Sequence, residues 1–297
     1  MLMYVFLPIS ILMAWLFTAP IHLFMTVQDL QYELYDVNKK MHANLEFFER
    51  KECVSADKCR CLLLVHGLGD SAYTWSKTLR ADKEEWAMPV NLYAVNLPGS
   101  GNSPQWEEAS DYSTTKMAEK VFSAIEKECP QWDLVGNSFG GWITTKIAAR
   151  YPKRVRSLTL LGAAGLNLSY DHITPMFAKP NAESVEKFQS MAYYEPTPLP
   201  KYIYSEIAKR MKRLPIKEMM LAQSPQDFVE QDIKKVKAPI YLIWGENDQV
   251  IPMNHALKFK ELRPKARLEM ARNCGHLPHK ECFKVFRSAV NEQLLGI

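Results

Sequence analysis

The stretch "LVGNSFGGW", residues 134–142, places a single serine between glycines at the end of an apolar run. Gly136 and Gly140 flank Ser138 at the G-x-S-x-G spacing, at which a tight strand-to-helix turn lifts a serine Oγ clear of the backbone. The plainer reading is a helix-capping serine, a residue type favoured at helix starts. Company separates the two, because a serine nucleophile needs a base to take its proton and a carboxylate to orient that base. Both follow in order. "LIWGENDQVIP" sets Asp248 in a turn directly after an apolar run, and "NCGHLPHKE" sets His276 after the next. Glu246 is the rival acid but lies nearer the strand end. His279 is the rival base, but it falls in the helix expected from about Pro278 and reads as a surface residue. Acyl transfer also needs two backbone N–H donors for the oxyanion. Phe139, next after the serine, supplies one; "HGLGD" supplies the other at Leu68, with His66 orienting that loop. This chemistry, a serine attacking a carbonyl, requires no metal and no cofactor.

Each of these loops must hang from a rigid element. "CLLLVHGLGD", "VNLYAVNLPGSGNS" and "WDLVGNSFGG" are apolar runs closed by Gly or Pro, the mark of buried parallel strands. "VRSLTLLGAAG" and "APIYLIWGEND" add two more, "RLEMARNCGH" a shorter last one, and "ANLEFFER" an edge strand. Met117, Val121 and Ile125 recur every four residues between the second and third runs, which predicts an amphipathic helix. Strands thus alternate with helices through 41–165 and 233–297, the expected α/β core. The alternation breaks over 166–232, where Ile203, Ile207, Met211 and Leu214 line one face of a helical piece. That insertion is expected to form a cap over the sheet's C-terminal edge, where open α/β sheets bind ligands. Its basic run "KRMKR", 209–213, reads as a solvated face, with a lipid-headgroup contact as the sharper alternative.

The chain has 297 residues, 47% of them hydrophobic, and a net charge of +4 with its basic residues dispersed, so nucleic-acid binding is not expected. Residues 1–27 contain no Lys, Arg, Asp or Glu, and about 20 apolar residues span a bilayer, so this segment predicts a membrane anchor or uncleaved signal, with an amphipathic or buried apolar arm as the plainer alternative. Its orientation is open; cleavage would make the protein secreted or periplasmic. Six cysteines, at 53, 59, 61, 129, 274 and 282, are too scattered for a small disulfide scaffold or a zinc site. One bridge among Cys53, Cys59 and Cys61 is geometrically possible; buried thiols are the commoner explanation.

With "HGLGD", "LPGSGNS", "GNSFGG", "WGENDQVIP" and "NCGHLPHKE" in that order, the chain from about residue 60 to its end resembles the α/β-hydrolase superfamily. Within it, the apolar N-terminus, "GAAGLN" and the last two loops resemble the membrane-anchored monoacylglycerol lipases and related bacterial esterases and lipases. The resemblance implies a mostly parallel sheet with a helical cap, Ser138, Asp248 and His276 as nucleophile, acid and base, and Leu68 and Phe139 as oxyanion donors. It also implies an acyl-ester or lipid substrate. One departure is Asn96, where the family usually carries Asp before "LPGSGNS". Two other readings share the fold: a carbon–carbon bond hydrolase of ring-cleavage products, and a non-catalytic ligand-binding protein. The former usually has a Trp after the histidine and cations for the substrate carboxylate, whereas Leu277 and Pro278 follow here.

Overall fold

The computed structural model describes residues 20–53 and 59–296. Eight strands form one sheet: β1 (Asn38–His42), β2 (Leu45–Arg50), β3 (Arg60–Val65), β4 (Val90–Val95), β5 (Trp132–Asn137), β6 (Val155–Leu161), β7 (Ile240–Gly245) and β8 (Arg267–Ala271). Their spatial order is β1-β2-β4-β3-β5-β6-β7-β8. The first two pairings, β1 with β2 and β2 with β4, are antiparallel; from β4 onward every neighbour is parallel. β2 to β5 and β7 are buried along their whole length apart from the first residue of β3. Their apolar content is what a sheet covered by helices on both faces requires. "ANLEFFER" therefore does not form the edge: β1 pairs outside it, and Leu45, Phe47 and Phe48 are fully enclosed.

The helices follow in chain order: α1 (Pro20–Leu34), α2 (Ser76–Leu79), α3 (Thr114–Ile125), α4 (Phe139–Arg150), then α5 (Thr174–Ala178), α6 (Ala182–Ala192), α7 (Lys201–Met211), α8 (Ile216–Leu221) and α9 (Glu230–Lys235) between β6 and β7, and finally α10 (Met253–Leu262), α11 (Pro278–Glu281) and α12 (Phe283–Leu295). α3 buries Met117, Val121, Phe122 and Ile125 on one stripe, the four-residue spacing seen in the sequence. β3 lies between β4 and β5, so the chain reverses its direction of travel across the sheet there. At such a switch point the loops after two adjacent strands diverge and leave a crevice. Those loops carry "HGLGD" and Ser138.

Residues 1–19 of the expected membrane segment, and the "VSADK" turn, lie outside the described residues. Among the described residues no helix is long and apolar enough to cross a membrane. Residues 20–27 instead open α1, which continues through Asp29, Gln31 and Glu33 and packs Tyr32 against Phe48 and Tyr73. The cysteines also depart from expectation, because all six are bridged: Cys53–Cys59, Cys61–Cys129 and Cys274–Cys282. The second joins β3 to the end of the α3 segment across 68 positions, a pairing that local spacing does not display.

Candidate active site

Ser138 sits between β5 and α4 with φ 54° and ψ −120°, in the left-handed half of conformational space that a side chain rarely occupies. Such strain persists only where the surroundings hold it. Gly140 is part of that hold, since a Cβ there would overlap the Val65 carbonyl oxygen of the adjacent strand. Although Ser138 precedes α4, its side chain makes no capping hydrogen bond. The helix-cap role is thus unused, and Ser138 lines a cavity.

Asp248 lies in the loop after β7 and His276 in the loop after β8, and the two meet: His276 Nδ1 donates to Asp248 Oδ2 at 2.8 Å. The other carboxylate oxygen accepts the Val250 and Ile251 N–H groups at 2.9 and 2.8 Å. A buried carboxylate so fully bonded is fixed in place, and it fixes the ring. With Nδ1 donating, His276 Nε2 is left as the acceptor. The His276 backbone is held as well, its N–H by the Ala192 carbonyl at 2.7 Å and its carbonyl by Asn137 Nδ2 at 3.0 Å. Glu246, the rival acid, is exposed.

His279 is not the surface residue expected. It is fully buried, bonded through Nε2 to Thr74 Oγ1 at 3.0 Å and packed with its ring tilted 4.3 Å from that of Trp75, and burial holds its pKa well below the usual histidine range. Its position one helical turn past the loop directs it into the core, against Thr74, Trp75 and Phe286. His66 bonds Gly67 O through Nδ1 at 2.8 Å and accepts the Leu97 N–H at Nε2, so it pins the "HGLGD" loop to the loop after β4 as a neutral ring. Burial likewise lowers its pKa.

Ser138, His276, Leu68 and Phe139 all line one cavity of about 360 Å³, a size typical of small-molecule sites. Gly67 brings the two loops together: a Cβ on it would stand 3.2 Å from that of Ser138. Phe139 is the first residue of α4, where the helix leaves its N–H without an internal acceptor. The outer wall comes from the 174–228 helices, with Phe177, Phe188, Met211 and Met219, and from Trp142 and Phe228, which stack at 5.3 Å. No lysine or arginine is among the described residues that line it. Ile207 and Met211 from the expected amphipathic face reach the cavity, whereas Lys209, Lys212 and Arg213 of the basic run are exposed.

Sequence reasoning passed over Asn137, Ala192 and Glu281. Asn137 had a signal, its place inside the elbow motif; Ala192 and Glu281 act through contacts with residues far off in the chain. Glu281 accepts the Gly275 N–H at 3.3 Å and the Tyr194 N–H at 2.8 Å. Burial raises its pKa, and the two N–H donors only partly offset this.

Comparison with known proteins supports the fold and its family. Lipase 1 of Psychrobacter immobilis is 28% identical over 254 residues, 78% of this chain and 78% of that protein. A 2-hydroxy-6-oxo-2,4-heptadienoate hydrolase of Pseudomonas putida is 26% identical over 245 residues, 78% and 88% of the two chains. Among solved structures, a membrane phospholipase A described as a bacterial virulence factor superposes with a TM-score of 0.78 at 24% identity, covering 97% of this chain and 95% of that one, a likeness of fold. The sequence model described as Alpha/beta hydrolase family matches residues 62–288, from β3 through the loops bearing Ser138, Asp248 and His276 into α12, and the chain belongs to that family.

Proposed function

We propose that the protein hydrolyses carboxylic esters of apolar acids through an acyl-enzyme on Ser138. His276 Nε2 takes the Ser138 proton as Oγ attacks the ester carbonyl, and the Leu68 and Phe139 N–H groups receive the oxyanion. The protonated ring, held by Asp248, then gives its proton to the leaving alcohol. Water deprotonated by the same nitrogen releases the acid and restores the serine. The observation that carries the reading is the buried Asp248–His276 pair opening onto the same apolar cavity as a strained, uncapped Ser138.

The lipase relatives support an ester, and the Met- and Phe-rich wall supports an acyl chain, with acylglycerols or medium-chain acyl esters as the finer substrate statement. Three disulfides support work in an oxidising compartment. The second reading, a carbon–carbon hydrolase of ring-cleavage products, is favoured by relatives named as hydrolases of 2-hydroxy-6-oxo dienoates and dienedioates. Against it stands a cavity wall with no lysine or arginine among the described residues, because those substrates are carboxylates.

The test sets p-nitrophenyl butyrate beside a dienoate ring-cleavage product, with fluorophosphonate labelling of wild type and Ser138→Ala. Ester turnover and labelling at Ser138 are expected. The alanine variant should lose kcat by on the order of 10⁶ while remaining folded. Turnover of the dienoate alone, or an active Ser138→Ala variant, would sink the proposal.

A further inference from the structure

The end of helix α6 touches both loops that carry the acid and the base. The Met191 carbonyl accepts the Gln249 N–H at 3.3 Å, one residue past Asp248, and the Ala192 carbonyl accepts the His276 N–H at 2.7 Å. Gly275 makes the second approach possible, since a Cβ there would overlap the Ala192 carbonyl oxygen and stand 2.9 Å from Tyr193 Cα. Across this seam lies one carboxylate. Glu281 Oε1 accepts from Gly275 N–H and Oε2 from Tyr194 N–H, so a single side chain grips the residue before the base and the second residue past α6. The Cys274–Cys282 bridge closes residues 274–282 into a covalent ring that contains both His276 and Glu281. Movement of one is therefore transmitted to the other.

We propose that Glu281 is a positioning residue for His276, clamping the loop of the base to the C-terminal end of α6. It touches no substrate in this role. It sets where Nε2 stands relative to Ser138, and it couples that position to the 174–228 helices, which form the outer wall of the cavity. The inference rests on the reading of His276 as the base of an ester hydrolase. A clamp of this kind governs the geometry of the chemical step rather than the affinity of the apolar wall, so kcat and KM should separate.

The test uses the full chain and p-nitrophenyl butyrate. Glu281→Ala is expected to lower kcat roughly 10- to 100-fold, the range that misplacement by about 1 Å produces, with KM held within about twofold. Glu281→Gln keeps one carbonyl acceptor and should fall between. Tyr194→Pro removes the donor on the cap side alone. Tyr193 is already extended, with φ −115° and ψ 145°, as a residue before proline must be, and Tyr194 is 39% exposed. The double variant Glu281→Ala/Tyr194→Pro should be no slower than the slower single variant, because both cut the same link. Wild-type kcat in Glu281→Ala with wild-type ester turnover intact would overturn the clamp alone, as would additive losses in the double variant. Should Glu281→Ala unfold, the Gln and Pro variants decide by the same split. A folded wild type without ester turnover would remove the function itself, and the clamp with it.

Discussion

Asn96 is completely buried, and each end of its amide has a partner of the right kind: Oδ1 accepts the Ala72 N–H at 2.7 Å and Nδ2 donates to Glu46 Oε2 at 2.7 Å. Glu46, 3% exposed, also accepts the N–H and the Nδ2 of Asn102. The departure from the aspartate usual in the family is thus matched by an acid on β2, since a second carboxylate would face the first with no proton between them. Asn96→Asp should cost about 3 kcal/mol in urea unfolding at pH 7, the loss expected when a buried charge is deprived of its partner. The deficit should narrow toward pH 5, where the pair can hold a shared proton, and adding Glu46→Gln should restore most of the loss. Equal stability of Asn96→Asp and wild type at pH 7 would contradict this account. The same contrast explains what was legible at this scale. Ser138, Asp248 and His276 stand in loops directly after apolar runs, so strand order places them at one sheet edge. Glu46 bonds residues 50 or more positions away, and Glu281 joins nearby Gly275 to Tyr194, 87 positions away, so nothing in their local spacing marks them.

Among the elements, α1 is the one whose context the sequence concealed. Its apolar opening continues a stretch without charge, and that continuity masks the change of character at Asp29, after which one face meets the body of the protein. Tyr32 is 2% exposed, stacks 5.8 Å from Tyr73, meets Phe48 edge-on at 5.4 Å, and shares a hydrogen bond with Ser76 Oγ at 2.6 Å. Asp29 pairs with Lys39 at the start of the sheet, and Arg80 bonds Gln31. The helix also touches α7, through Arg210 and the Met25 sulfur at 3.0 Å. α1 is therefore a packed part of the fold. Tyr32→Ala should destabilise the protein by about 3 kcal/mol, in the range for deleting a buried aromatic, while Tyr32→Phe should cost about 1 kcal/mol for the lost hydrogen bond. Urea denaturation measures both, and a silent Tyr32→Ala would reduce α1 to an appendage. The core strands were legible because their apolar runs are long and end in glycine or proline; the β1 edge was not, its residues being mostly exposed and polar.

Over the whole molecule, three buried histidines give folding a common dependence on pH. Burial lowers the pKa of His66, His255 and His279, the last most strongly, and none has an acidic partner bonded to its ring. Among the described residues His255 Nδ1 and His279 Nδ1 find no hydrogen-bond partner, so each ring packs as a neutral group. In the unfolded chain all three take up protons near pH 6.5, whereas in the folded chain they do so only at lower pH. The unfolded state then binds more protons, and stability rises with pH: it is fully present above about 6.5 and is lost as pH falls through that value. Each histidine contributes at most about 1.4 kcal/mol per pH unit within its window. Glu281 opposes them, because its raised pKa lets the folded state gain a proton first, but it is one group against three. The carboxylates held below their usual range, Asp227 and Glu128 among them, add to the loss only below about pH 4, beneath the histidine window. The midpoint of urea unfolding should consequently fall steadily from pH 7 to pH 5. His279→Gln, which cannot be charged in either state, should flatten that slope by removing its steepest contributor, whatever it costs in packing at pH 7. A profile flat from pH 7 to 5, or a His279→Gln variant with the wild-type slope, would mean that these rings are not held neutral by burial. Acid loss of stability would then begin with the carboxylates, about two pH units lower.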